Sequence, residues 1–406
     1  MKLISGGVTA AKGFRAAGVH AGVKAGSSAD KNDLAMILCD TEAAAAGVYT
    51  MNRVKAAPIY VTMEHLENGS ARGVIANSGN ANACAPLGHE NAVKMCEAAA
   101  AATGLRPEDF IVCSTGVIGQ TLNVSAIENA CPTLASLLSR DGSGDAAAAI
   151  MTTDTKKKEI AVSFELGGKE VRLGGIAKGS GMIHPNMGTM LCFLTTDCAI
   201  SSDVLQNALY EVTKVTFNRV SVDGDTSTND TCCILASGAA ENTLIDWKSE
   251  DYDVFYGALK FVCTELAKKI AGDGEGATKL VSCTVSGSRS DEAAEKLAME
   301  VIRSSLVKAA MFGADANWGR VLCAMGYSKA PFRPECVDVT FASSAGSIQV
   351  CKAGEGLEFD EELAKKVLSQ DEVEIQVNVN EGEHAVTAWG CDLTYDYVKI
   401  NGDYRT

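Results

Sequence analysis

Apolar positions along this chain switch repeatedly between a spacing of three or four and a spacing of two, and glycine or charge usually marks the switch. The alanine-rich stretch 91–102 keeps a helical period. Leu259, Val262, Cys263, Leu266 and Ile270 share one helical face, and that helix must stop at Gly272-Asp-Gly-Glu-Gly276. Ser290 caps a further helix that runs to about 310, with Asp291 and Glu292 in its positive first turn. Stretches 160–166, 190–196, 231–236, 279–285, 337–341, 348–351, 373–379 and 385–391 read as strands, many of them β-branched. The last two read as a hairpin closed over 380–384. Cys232 and Cys233 are neighbours on a strand, so their side chains point to opposite faces. Strands interleaved with helices predict an α/β fold of layered mixed sheets with flanking helices.

Composition narrows the function classes. The chain has 406 residues, 47% hydrophobic and 21% charged, as expected of a soluble globular protein. A net charge of -15 argues against a nucleic-acid partner, which calls for clustered Lys and Arg. The 15 cysteines are scattered among apolar residues without a Cys-x-x-Cys pair or zinc spacing, which fits buried, reduced thiols. Asp223-Gly-Asp-Thr-Ser-Thr-Asn-Asp230 has acidic residues at the odd spacing of a calcium loop but no glutamate at the twelfth position, so no metal site is expected there. No signal peptide or membrane-spanning run is legible, and the cytoplasm is the expected address. The seven prolines mark no linker.

The chemistry concentrates in 174–196, where a glycine-crowded loop gives way to an apolar strand. Thr189 stands at the junction with Gly188 before it, a residue without a Cβ that allows close approach and unusual backbone angles. A threonine so placed suits a chain that cuts itself at Gly188-Thr189. The cut turns an amide nitrogen into an α-amine with a reference pKa near 7.7–8.0, able to act as base for the hydroxyl of the same residue. Thr115-Gly116, after the strand-like 110–113, offers a hydroxyl and an N–H in a turn. On local sequence alone, a plain glycine-containing turn is the default reading of both segments.

The wider sequence decides between these readings. Lys178-Gly-Ser-Gly-Met-Ile-His-Pro-Asn-Met-Gly-Thr-Met-Leu191 resembles the self-cleavage signature of the glutamate N-acetyltransferases, also called ornithine acetyltransferases. The resemblance extends through Asn77-Ser-Gly-Asn-Ala-Asn-Ala-Cys84, Ser114-Thr-Gly-Val-Ile-Gly119, Met151-Thr-Thr-Asp-Thr155, Asp223–Asp230, Gly274-Glu-Gly-Ala-Thr-Lys279 and Asn401-Gly-Asp-Tyr-Arg-Thr406. The family usually carries alanine where this chain has Gly188.

The resemblance implies a DmpA/ArgJ-like fold self-cleaved into two interwoven chains, 1–188 and 189–406, that pair as a heterotetramer. It implies Thr189 as nucleophile, Thr115 and Gly116 as oxyanion hole, and a substrate-binding set of Thr152, Lys178, Thr189, Glu275, Asn401 and Thr406. The implied reaction moves acetyl from N2-acetyl-L-ornithine to L-glutamate in arginine biosynthesis, without metal or cofactor. Acetyl-CoA stays open as a co-substrate, since no strand-G-x-G-x-x-G-helix fingerprint argues for it. His184 is read as structural. Two alternatives stand beside this one: an N-terminal-threonine amidohydrolase or aminopeptidase with water as acceptor, and a non-catalytic binding protein in one uncut piece.

Overall fold

A computed structural model describes residues 1–24, 26, 28–184 and 190–403. Its strands in chain order are β1 (Lys2–Ile4), β2 (Phe14–Val19), β3 (Leu34–Tyr49), β4 (Ser70–Asn77), β5 (Phe110–Ser114), β6 (Lys158–Leu166), β7 (Lys169–Lys178) and β8 (Leu191–Thr196). They continue with β9 (Val220–Ser221), β10 (Thr231–Ala236), β11 (Leu280–Ser288), β12 (Asp338–Ser343), β13 (Gly346–Lys352), β14 (Glu355–Gly356), β15 (Glu372–Asn378) and β16 (His384–Cys391). Two mixed sheets result. One is ordered β1-β6-β7-β8-β10-β3-β4-β5, with β2 beside β3; the other is ordered β14-β13-β12-β15-β11-β16-β9.

The parallel pair β8 and β10 lies near the middle of the first sheet and is buried throughout, which explains its unbroken apolar character. Both faces are covered. Cys232, Ile234 and Ala236 join a core completed by the helices Ser202–Val215 and Glu250–Gly272, while Cys233 and Leu235 enter the core on the opposite face. The two cysteines therefore do point apart. A separate core fills the second sheet and its helices, including Asp291–Arg303 and Glu361–Leu368. No helix among the described residues is long and apolar enough to cross a membrane.

The layered α/β architecture matches the expectation, with three local corrections. The strands at 372–378 and 384–391 are not a hairpin. β11 lies between them, parallel to β15 and antiparallel to β16. Their five-residue connection passes over the end of β11, where Val379 and Glu381 N–H donate to the Ser286 and Gly287 carbonyls. A Cβ at Gly382 would sit 2.2 Å from the Ser288 carbonyl oxygen, so glycine lets the chain cross there.

The helix begun at Ser290 ends at Arg303, and a second runs Ser305–Phe312. Ser304 leaves helical angles and its hydroxyl accepts from Val307 N–H, so a side-chain cap replaces continuation. Gly174 and Gly175 lie inside strand β7 and not in a loop. A Cβ on Gly174 would lie 1.9 Å from the Gly7 carbonyl oxygen, and one on Gly175 2.5 Å from Leu194. These glycines serve close packing.

Candidate active site

Three segments of the chain meet at the end of β7. The first is the turn after β5. Asn77, Asn80 and Asn229 are buried, and they shape this turn through their amides. Ser114 Oγ donates to Asn77 Oδ1 at 2.6 Å, Asn80 Nδ2 donates to the Gln120 and Thr121 carbonyls, and Asn229 Nδ2 donates to the Ser114 carbonyl at 2.7 Å. The Thr115 N–H is taken by the Asn77 carbonyl. Gly116 has φ +132°, and a Cβ there would fall 2.4 Å from the Gly79 carbonyl carbon, so no other residue fits the turn. Among the described residues nothing accepts from the Gly116 N–H, which leaves it, with the Thr115 hydroxyl, as a donor pair.

The second segment follows the helix Ser143–Ala149 and carries Thr152. The third follows Glu250–Gly272 and carries Glu275. Lys178, the last residue of β7, is 7% exposed and joins the first two: its Nζ donates to Thr152 Oγ1 at 2.9 Å and to Thr115 Oγ1 at 3.4 Å. Burial pulls the Lys178 pKa below the ordinary lysine value of 10.5, against the opposing pull of Asp154, Glu275 and Asp230.

Glu275 is held by its N–H to the Ser180 carbonyl, 3.0 Å, and by Asn401 Nδ2 on its Oε2, 2.7 Å. Asn401 sits on the terminal helix Tyr395–Asp403, so this part of the C-terminus does return to the cleft. Gly181 faces the Glu275 carboxylate so closely that a Cβ would lie 2.4 Å from it. The Gly181→Ala variant is therefore expected to push Glu275 aside, lowering kcat/KM by about 10- to 100-fold with little change in melting temperature. Steady-state kinetics beside a thermal melt checks this.

Together Thr115, Gly116, Thr152, Lys178, Glu275 and Asn401 line a single cleft that opens to solvent, with Met190, Leu191, Ser227, Asn229 and Asp230 on its remaining wall. The cleft is lined by the Lys178 cation and by the Glu275 carboxylate with the Asn401 amide on it, a pairing that fits an α-carboxylate and an ammonium. Thr189, Gly188 and Thr406 lie outside the described residues. Met190 and Leu191, which follow Thr189 in sequence, belong to the cleft wall.

The acidic loop has a structural task. The Asp223 carboxylate accepts the Met182 and Ile183 N–H groups at 2.6 and 2.9 Å, anchoring the segment ahead of 185, and the far end of the loop supplies Ser227, Asn229 and Asp230 to the cleft. His184 Nδ1 lies 3.2 Å from Ser221 Oγ, and burial depresses its pKa, as suits a neutral packing residue.

Sequence reasoning missed Asp230, Asp154, Lys158 and Asp273. Asp230 is 1% exposed, and burial holds its pKa well above the usual carboxylate value despite nearby Ser227 and Thr50. Its Oδ2 has no hydrogen-bond partner among the described residues. Asp154 stands inside the recognised Met151–Thr155 motif, but nothing in the sequence marks it as buried. Burial raises its pKa, while Lys178, Lys158 and the Gly179 N–H together bring it down to about 2.

The ArgJ family model matches residues 15–406. The chain is 51% identical over its whole length to the arginine biosynthesis bifunctional protein ArgJ of Symbiobacterium thermophilum, all of which is covered. It is 49% identical to the arginine biosynthesis bifunctional protein ArgJ 1 of Clostridium acetobutylicum, over 97% of this chain and 96% of that protein. A crystal structure of the arginine biosynthesis bifunctional protein argJ from Bacillus halodurans superposes with a TM-score of 0.50 at 47% identity. That match spans 98% of the crystal chain and 52% of this one.

Proposed function

The chain belongs to the ArgJ family, and on that premise we propose how the cleft carries out its acetyl transfer. The protein is an acyltransferase of arginine biosynthesis that moves acetyl from N2-acetyl-L-ornithine to L-glutamate, giving ornithine and N-acetylglutamate. The observation that carries the site assignment is the convergence of Thr115, Gly116, Thr152, Lys178, Glu275 and Asn401, spread over nearly 290 residues of sequence, on one cleft.

In the proposed sequence of steps, the Thr189 hydroxyl attacks the Gly188 carbonyl, the peptide becomes an ester, and water releases residues 1–188 with a new carboxylate. The freed α-amine of Thr189 then takes the hydroxyl proton as the oxygen attacks the acetyl carbon of acetylornithine. Thr115 Oγ1 and the Gly116 N–H hold the oxyanion. The proton passes to the departing ornithine amine and leaves acetyl-Thr189, and the amine of glutamate repeats the attack in reverse.

Lys178 and Thr152 take the α-carboxylate, while Glu275 with Asn401 meets the ornithine side-chain ammonium. Thr406 completes the binding set. This scheme draws base and nucleophile from one residue and uses no cofactor. The share of this chain matched by the Bacillus halodurans crystal chain, 52%, supports the cut: division before Thr189 leaves pieces of about 46% and 54%. We place the processed enzyme in the cytoplasm as a heterotetramer of two copies of each piece.

Freshly expressed protein should run as two bands on a denaturing gel, and N-terminal sequencing of the larger, C-terminal piece should begin at Thr189. Rapid hydrolysis of acetylornithine without glutamate would instead favour an amidohydrolase, and one intact, inactive-toward-acetyl chain would favour a binding protein. Assay with acetyl-CoA and glutamate decides whether that donor is used. The Thr115→Val variant keeps the shape of residue 115 and loses its hydroxyl, so kcat should fall about 10²–10³-fold with KM little changed, as single-turnover kinetics would show.

A further inference from the structure

Beneath the cleft floor lies a buried ammonium that no step above uses. Lys158 opens β6 and is 1% exposed. Its Nζ donates to Asp154 Oδ1 at 2.6 Å and to Asp273 Oδ2 at 2.5 Å, and both carboxylates are buried. A lysine removed from water this completely needs such partners, because an unpaired buried charge is very costly.

Each carboxylate in turn fixes a different stretch of the cleft wall. Asp154 Oδ1 also accepts the Gly179 N–H at 2.7 Å, next to Lys178, and its Oδ2 accepts the Thr152 N–H at 3.1 Å. Asp273 Oδ2 accepts the Thr155 and Lys156 N–H groups at 3.1 and 3.3 Å, and its Oδ1 accepts from the Thr155 hydroxyl. The Asp273 carbonyl accepts from Ser180 Oγ at 2.7 Å, and Ser180 in turn accepts the Glu275 N–H. The Thr152 loop, the end of β7 and the Glu275 loop, which are far apart in sequence, thus share one node.

We propose that Lys158, through Asp154 and Asp273, is a positioning residue that sets the distance between the Lys178–Thr152 end of the cleft and its Glu275 end. It touches no substrate. It fixes the span over which an amino acid with an anionic head and a cationic tail must reach, so it governs binding of the ornithine-bearing donor more than the chemical step. This rests on the substrate assignment proposed above.

The test compares wild-type, D273N and K158M/D273N proteins, each full-length and self-processed, in transfer from N-acetylornithine to glutamate. In D273N one arm of the node is weakened while the ammonium keeps Asp154 as its counter-charge, and the double variant removes the ammonium along with one of its two counter-charges. KM for acetylornithine should rise about 3-fold in the first and about 10-fold or more in the second, while kcat per acetylatable site stays within about 3-fold. KM is insensitive to the folded fraction, so a merely structural lysine would lower the melting temperature and leave KM unchanged, which overturns the proposal. Failure of both variants to give any folded enzyme overturns it as well, since the node would then hold the fold as a whole. If the wild type itself moves no acetyl from acetylornithine, the substrate assignment fails instead. Calorimetric titration of the same three proteins with ornithine then still reports on the span, with unchanged affinity counting against positioning.

Discussion

The Thr189→Ala protein is expected to remain a single full-length chain and to transfer no measurable acetyl, a loss of at least about 10⁴-fold. The two effects have one cause. Without the hydroxyl there is no attack on the Gly188 carbonyl, so the amide nitrogen of residue 189 never becomes an amine, and the enzyme lacks nucleophile and base together. Thr189→Ser separates them. It keeps the hydroxyl but loses the methyl that restricts its rotamer, so cleavage should proceed more slowly and activity should appear as the cut accumulates. Mass spectrometry of aged samples beside an acetyl-transfer assay follows both. Normal activity in uncut Thr189→Ala protein would remove the basis of the proposed mechanism.

Lys178→Met should cost about 10²–10³-fold in kcat/KM, because it leaves a carboxylate ligand facing a cleft without the only cation that lines it among the described residues. The acid–base behaviour of this lysine gives a second readout. Burial favours the neutral amine, so its folded-state pKa lies below the ordinary 10.5. Binding a carboxylate needs the protonated form, and kcat/KM should therefore decline on the alkaline side at a pH lower than an exposed lysine would give. Stability runs the opposite way: between the lowered pKa and 10.5 the unfolded chain binds more protons, so this group's contribution to stability rises with pH across that window while activity falls. In Lys178→Arg the alkaline decline should leave the measurable range, since guanidinium stays charged. A profile identical to the wild type in the arginine variant would remove Lys178 from the carboxylate site.

Much of the second half of the fold was legible because its strands are short, β-branched and flanked by clear breakers, as at 231–236 and 280–288. The first half was harder to read. β3 runs Leu34–Tyr49 through Ala43–Ala46, a composition that favours helix, and only pairing with β2, β4 and β10 makes it a strand. β7 was masked by glycines that look like a loop and are packing contacts. The hairpin failed because a good turn signal between two strands says nothing about a third strand slipping between them.

For the site, recognisable motifs supplied the residues that face the cleft. What they did not supply was the layer behind it. Lys156-Lys-Lys158 reads as a solvated charge run, and only the start of β6 turns the third lysine inward. Asp273 reads as part of a glycine-rich helix stop. The node closes only through Asp273, whose bonds to Thr155 and Lys158 span more than 100 residues, and local sequence carries no trace of that pairing.

The order of the first sheet bears on what the proposed cut would do to the enzyme. β8 and β10 come from beyond residue 189, yet they lie between β7 and β3, which come from before it. Severing the chain ahead of β8 thus leaves each piece clasped by hydrogen-bond ladders of the other, Lys178 opposite Leu191 on one side and Thr231 opposite Tyr49 on the other. Dilution alone is not expected to part them. But a processed molecule that is once denatured faces a bimolecular search that its uncut parent never faced, so its recovery should depend on concentration and the cut acts as a ratchet that makes the assembled state irreplaceable.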